Sequence, residues 1–382
     1  MFTMSSSELQ IIFFLLFLVI IVSILFIDLK VIGKKSHILT FREALFWTCA
    51  WILLAMGFYF FLLTHGEIIH GVLPDFAPER KIQIIQHHIE RYGQPHCVDL
   101  NDVSHTLKCY RNNLALEYLT GYLIEYSLSV DNIFVMIMIF LAFGVQRKYY
   151  KRVLFWGILG AIVMRFLFIF IGAALIIRFE VLLVAFGIFL VYAGIRMFVR
   201  RNRKEEIDTH NHPVVRFASR HFAVFPRNVR HHFLIRKAGK WLITPLMIVL
   251  LVIEFSDVLF AVDSVPAIFS VTRDPFIVFF SNIFAIIGLR SLFFLLTRLL
   301  DKFRYLQIGL AALLTFIGLK LVYSYFSDHF IKPEHPFFTT SHSLYIILGI
   351  LAMSIIASLV KTGISKYKGG EGGSEGSRDQ SR

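Results

Sequence analysis

Residues 254–268 read EFSDVLFAVDSVPAI, which sets three carboxylates, Glu254, Asp257 and Asp263, inside an apolar run that extends from about Trp241 past Ile268. A run of that length matches a membrane helix, where a charge near the centre costs roughly 2.5 to 3.5 kcal/mol. Acids retained at that cost need a partner, and the surrounding chain offers candidates.

The setting is lipid. Of 382 residues 57% are hydrophobic and 41 are Phe, and the mean hydropathy is +0.68, which excludes an ordinary soluble globular chain. Apolar runs long enough to cross a bilayer lie at 11–27, 44–63, 114–143, 153–177, 181–199, 241–271, 276–297, 306–327 and 343–360. The expectation is an all-α polytopic membrane protein with about nine transmembrane helices. The first run has no Lys or Arg before it and no small-residue cleavage site, so it reads as a retained helix rather than a signal peptide.

Basic residues test this partition, because short cytoplasmic loops collect them. Lys30, Lys34, Lys35 and Arg42 fall in 28–42; Arg147, Lys148, Lys151 and Arg152 in 144–152; Arg298, Lys302 and Arg304 in 298–305. These loops alternate with neutral or mixed ones, such as 178–180 and 271–275, each holding one Arg and one acid. The pattern places the N-terminus outside and the C-terminus in the cytoplasm, with a bacterial inner or plasma membrane expected. Most of the formal +13 is this bias, so nucleic-acid binding is not needed to explain it. Segment 200–240 carries eleven Lys or Arg, three acids and five His. A solvated cytoplasmic loop touching anionic lipid accounts for it, with a regulatory metal site on its histidines as the alternative.

Two regions lie beside the helical core. Segment 65–113 is long and polar and is expected as an extracytoplasmic loop insertion, with a disulfide expected between Cys97 and Cys109. Cys49 stands alone in an apolar helix and is expected as packing. The tail from Gly369 is rich in Gly and Ser and is expected to be disordered within 361–382.

The chain also echoes itself. In EYSLSVDN, Glu125 precedes Asp131 and Asn132 as Asp257 precedes Asp263 and Ser264 in the opening stretch. Arg165-Phe166-Leu167-Phe168 answers Arg290-Ser291-Leu292-Phe293, and Gly194-Ile195-Arg196 answers Gly318-Leu319-Lys320. Three helices at 114–199 thus recur at 241–327 in the same order. Because three is odd, the second copy enters from the opposite side, giving two inverted three-helix repeats of the kind that build secondary transporters. Residues 1–64, with two helices, and the final helix at 343–360 lie outside the symmetry.

An inverted repeat brings the acids of its first helices together near midplane. A six-residue spacing turns through roughly 240°, so Glu125 and Asp131 converge only if their helix unwinds between them, and likewise Asp257 and Asp263, where Pro266 favours a break. Five carboxylates in low dielectric repel one another, and a divalent cation relieves that. The expected metal set is Glu125, Asp131, Asn132, Glu254, Asp257 and Asp263, supported by Ser129, Ser256 and Ser264. All-oxygen ligands suit Mn²⁺, Mg²⁺ or Ca²⁺; zinc or copper would bring His or Cys. Arg165 and Arg290 are expected as counter-charges, and Asn282 as a hydrogen bond across the bundle or a path-lining group. The competing account is that the acids are internally paired, but two arginines cannot neutralise five carboxylates.

LIEYSLSVDNIFV at 123–135, RVLFWGILGAIVMRFLFIFIGAAL at 152–175 and TPLMIVLLVIEFSDVLFAVDSVPAIFSVTRDPFIVFFSNIFAIIGLRSLFFLL at 244–296 resemble the TerC/Alx family of integral membrane proteins, as does 24–55. The resemblance covers about 24–64 and 114–330. It implies a polytopic protein linked to manganese export and, by family name, tellurium resistance. It also implies that the five acids, carried over position by position, are metal-site residues. The length of 65–113 and the glycine-rich end depart from the pattern.

No Ser/His/Asp set, HExxH, phosphate-binding loop or CxxC occurs, so enzyme activity is not expected. The resulting expectation is efflux of a divalent metal, Mn²⁺ first, as transported substrate. Protons are the possible counter-ion, no cofactor is permanently bound, and the partners are the bilayer and the ion. A non-transporting membrane-protein assembly factor of the same family is the alternative.

Overall fold

The computed structural model describes residues 5–33, 40–92, 99, 102–200, 213–221, 232–237, 240–297, 306–327 and 340–371. The apolar runs become helices α1 (Ser6–Gly33), α2 (Phe41–His65), α4 (Val103–Ala142), α5 (Arg147–Arg178) and α6 (Val181–Arg200). They continue as α8 (Pro245–Phe269), α9 (Pro275–Ile287), α10 (Leu289–Leu296), α11 (Leu306–Phe326) and α12 (Thr340–Glu371). Among the described residues eight helices are long and apolar enough to cross a membrane, and the pair α9–α10, bent by 42°, makes a ninth if it is one span. Local chemistry sets the boundaries. Thr40 and Glu43 form a capping box at the start of α2, Thr244 caps α8 ahead of Pro245, and the Asp274 carboxylate accepts from the Phe276 N–H at the start of α9.

The described part of segment 65–113 is largely helical. A 3₁₀ turn (Gly66–His70) continues α2, α3 (Pro78–Tyr92) follows, and α4 begins at Val103, eleven residues before the apolar run that predicts it. With 40 residues α4 is about 60 Å long, twice the hydrocarbon thickness, so its first third stands clear of the bilayer. Arg111 reaches back from this extension and donates twice to Glu67, both at 2.5 Å. Gly71, left-handed at φ 74, lies against the Ser6 backbone where a Cβ would collide, so the turn holds the start of α1. Cys109 is disulfide-bonded; Cys97, its expected partner, lies outside the described residues.

Residues 200–240 contain α7 (Pro213–His221) and β1 (Leu234–Lys237), which pairs antiparallel with β2 (Lys240–Ile243). Of the five histidines there, only His232 has a described side chain, and it is exposed. The Gly-rich tail departs from expectation in part, since α12 continues to Glu371; 372–382 lie outside the described residues. Cys49 departs as well: it is a free thiol on the exposed side of α2 rather than packing.

The core is centred on α9, every residue of which except Phe276 is buried. Phenylalanines of α1 and α2 wrap it: Phe17 meets Phe280 at 4.5 Å between centroids, Phe14 meets Phe279 at 5.2 Å and Phe58 meets Phe284 at 5.0 Å. Around this centre α4 packs on α9, α5 on α8 and α6 on α11. Glycines allow close approach, as in other membrane bundles. A Cβ on Gly318 would stand 2.5 Å from the Gly187 carbonyl oxygen, and one on Gly187 would stand 2.8 Å from that of Gly318. Gly318→Val therefore forces two backbones apart. We expect a loss of about 1–3 kcal/mol, read as a lower Tm in detergent; an unchanged Tm would mean the helices are not in contact there.

The two spans thought to be broken are not. α4 is continuous through Glu125 and Asp131, and α8 through Asp257 and Asp263. Pro266 lies in the last turn of α8 and leaves the Val262 carbonyl without its helical N–H donor, but the helix runs on past it to Phe269. The bend falls instead at Gly288, between α9 and α10.

Candidate functional site

A continuous helix changes which residues share a face. Positions six apart stay roughly 240° apart, whereas positions seven apart differ by about 20°. On α4 the shared face is Glu125, Ser129 and Asn132, exposed by 0%, 0% and 4%. On α8 it is Asp257 and Ser264, exposed by 6% and 1%, with Glu254 one turn earlier. The sequence reading paired each first acid with the second acid; the fold pairs it with the following Asn or Ser. The side chains of Asp131 and Asp263 lie outside the described ones, so those two assignments are not placed by the structure.

Glu125 has a cation. Arg165 of α5 bonds Glu125 Oε2 through Nη1 and, through the same nitrogen, donates 2.8 Å to Asn282 Oδ1 of α9. All three side chains are buried. This is the counter-charge role expected of Arg165 and the cross-bundle hydrogen bond expected of Asn282, joining α4, α5 and α9. Asp257 lies within electrostatic reach of both Arg165 and Glu254. Glu254 is half-buried, and its carboxylate rests on Gly160 of α5, where any Cβ would overlap it. Ser256 is occupied locally, donating to the Val252 carbonyl at 2.9 Å. Arg290 is buried beside an apolar pocket lined by Met136, Leu154, Ile253 and Phe293.

Several buried atoms here have no hydrogen-bond partner: Glu125 Oε1, Ser129 Oγ, Asp257 Oδ2, Ser264 Oγ, Arg165 Nε and Asn282 Nδ2. They come from α4, α5, α8 and α9. Unpaired buried polar atoms are rare and each costs about 1–3 kcal/mol, so a group on four helices marks a place for a polar ligand or ordered water. Four of the atoms are oxygens, the donor type that hard divalent cations take.

Residues 110–366 match the integral membrane protein TerC family. This chain belongs to the TerC family. The resemblance expected from 123–135, 152–175 and 244–296 therefore holds, and the matched region contains every residue of the acidic group. The uncharacterised membrane protein STKORF319 of Myxococcus xanthus is 40% identical over 346 residues, 91% of each chain. Alx of Escherichia coli strain K12, described as a proposed membrane-bound redox modulator, is 37% identical over 361 residues, 93% of this chain and 96% of its own. Alx of Salmonella typhi is 37% identical over 346 residues, 89% of this chain and 91% of its own. No solved structure matches this TerC-family chain.

Proposed function

We propose that this TerC-family protein is a secondary transporter that exports a divalent metal ion, Mn²⁺ first, through the carboxylates between α4 and α8. The observation that carries this reading is the group of unpaired buried atoms, Glu125 Oε1, Ser129 Oγ, Asp257 Oδ2, Ser264 Oγ and Asn282 Nδ2, at membrane depth on helices that otherwise bury apolar surface. An ion entering there is met by Glu125, Asp257 and Glu254, with Asp131 and Asp263 as the remaining acids and Asn132 and the serines as neutral oxygens. Arg165 holds Glu125 when no ion is present and would be displaced or shared when one arrives, since a guanidinium cannot be a ligand. Protons on the emptied carboxylates are the proposed return load, and flux unaffected by a pH gradient would remove that part.

The helix pairing supports an inverted repeat. The 124-residue offset that carries Gly194 onto Gly318 also carries Gly187 onto Ala311. The contact of Gly318 with the Gly187 carbonyl, 2.5 Å from an added Cβ, then exchanges with that of Gly194 with the Ala311 carbonyl, 2.7 Å. The Lys and Arg bias of the loops favours an outside N-terminus and a cytoplasmic C-terminus in a bacterial inner membrane. Export rather than import rests on the resemblance to the family. A metal-balancing role is compatible with the redox description attached to Alx, because a change in metal content alters redox balance indirectly.

The test is uptake into proteoliposomes with Mn²⁺, Ca²⁺ and Mg²⁺ in competition, comparing the parent with Asp131→Asn and Asp263→Asn. The expected result is saturable Mn²⁺ flux in the parent, reduced at least tenfold in both variants. Equal flux in all three proteins would leave the assembly-factor alternative, which does not need the carboxylates.

A further inference from the structure

A second cluster lies at the end of the bundle that carries the 3₁₀ turn and α3. His70 from the turn, His88 from α3 and Asp274 from the start of α9 are exposed by 3%, 7% and 0%. One ligand atom from each lies within 4.8 Å of the others. Asp274 Oδ2 is 2.8 Å from His70 Nε2 and 3.6 Å from His88 Nε2. His70 Nε2 and Asp274 Oδ2 stand at ion-pair distance, and with both His88 ring nitrogens they are buried atoms left without a well-formed hydrogen bond. Ligand atoms this close, buried and unsatisfied are the arrangement that a shared ion completes.

We propose that His70, His88 and Asp274 form a binding site for a first-row transition-metal ion of the Zn²⁺ class, separate from the carboxylate site between α4 and α8. Ligands about 2.0–2.1 Å from a tetrahedral ion stand about 3.3 Å apart, and the two measured separations bracket that value. Two imidazoles and one carboxylate make a nitrogen-rich set that favours Zn²⁺ over Mn²⁺, Mg²⁺ or Ca²⁺ and leaves a fourth position for water. The outer groups are also in place. The Tyr110 hydroxyl bonds His70 Nδ1 at 2.7 Å, which fixes the ring and leaves Nε2 as the free nitrogen. Asp274 Oδ1 accepts from the Phe276 N–H at 2.9 Å, which leaves Oδ2 as its free oxygen. The ion ties two pieces of chain, the 3₁₀ turn and α3, to the start of α9, whose Asn282 bonds Arg165 two turns further on. Loading this site therefore fixes the helix that holds one side of the carboxylate group.

The experiment uses full-length protein in detergent, stripped with chelator and titrated with Co²⁺, then Zn²⁺. The expected result is one Co²⁺ giving the visible bands of a four- or five-coordinate nitrogen-containing site, displaced by equimolar Zn²⁺, with Zn²⁺ raising the Tm. His88→Gln and Asp274→Asn, the latter keeping the helix-capping oxygen, should lose the bands and weaken Zn²⁺ binding at least tenfold, whereas Asp257→Asn keeps them. A folded parent without such bands overturns the proposal, as do bands that survive in Asp274→Asn or vanish only in Asp257→Asn.

Discussion

Asp257→Asn is expected to lower Mn²⁺ flux by about a hundredfold or more while leaving the protein folded. The Asp257 side chain is 6% exposed, and its Oδ2 has no partner. The amide has the same size, so packing on α8 is kept and the change is one of charge. Removing the charge of one partner in a buried charged binding contact costs on the order of 2–5 kcal/mol of binding, and 1.4 kcal/mol is tenfold, so a loss of about two orders of magnitude or more follows. Initial rates in proteoliposomes, with thermal unfolding of the same preparation as the control for folding, measure it. Flux within twofold of the parent, with an unchanged Tm, would show that Asp257 binds no transported ion.

The second large effect separates structure from transport at Glu125. Arg165→Met leaves a fully buried carboxylate without its cation, and Glu125→Gln leaves a buried guanidinium without its anion. Each single change is expected to destabilise the protein by about 3–5 kcal/mol. The double variant removes both charges and should recover most of that stability, because a neutral pair of similar volume carries no uncompensated charge. If Glu125 is also a ligand, the recovered protein still fails to transport, since the negative charge of the Glu125 carboxylate is gone. That combination, restored Tm with flux down at least tenfold, is the expected result. A double variant that transports like the parent would make Glu125 a structural partner of Arg165 and nothing more.

The membrane spans were legible because bilayer thickness imposes a length on apolar runs, and no competing signal of that length exists in the chain. Segment 65–113 was not legible for the opposite reason. His105, Lys108, Arg111, Asn112 and Asn113 look like loop residues, yet the chain is already in α4 there because the helix projects beyond lipid and Arg111 is held by Glu67. At the acidic group the residue types were found but their register was not. The six-residue spacing brings the acids together only across a break, and Pro266 is the residue type that favours one. Pro266 removes one hydrogen bond near the end of α8 without breaking it, so α8 stays continuous and the seven-residue partners, Asn132 and Ser264, come into register with Glu125 and Asp257. The pairing of Glu125 with Arg165 needed the fold, since 40 residues separate them. His70, His88 and Asp274 carried no spacing signal, because local motifs report ligands on one helix and these come from three elements.

The reciprocal seating of Gly187 and Gly318 constrains how this molecule can rearrange. With main chain against main chain, and the Gly194 backbone against Ala311 one further step along, neither α6 nor α11 can slide past the other without climbing over a carbonyl. The two behave as one strut. Any swing that exposes the interior first to one side and then to the other must open along seams filled by flexible side chains, such as the phenylalanine layer between α1, α2 and α9 or the face of α5 on α8, while this strut travels as a unit.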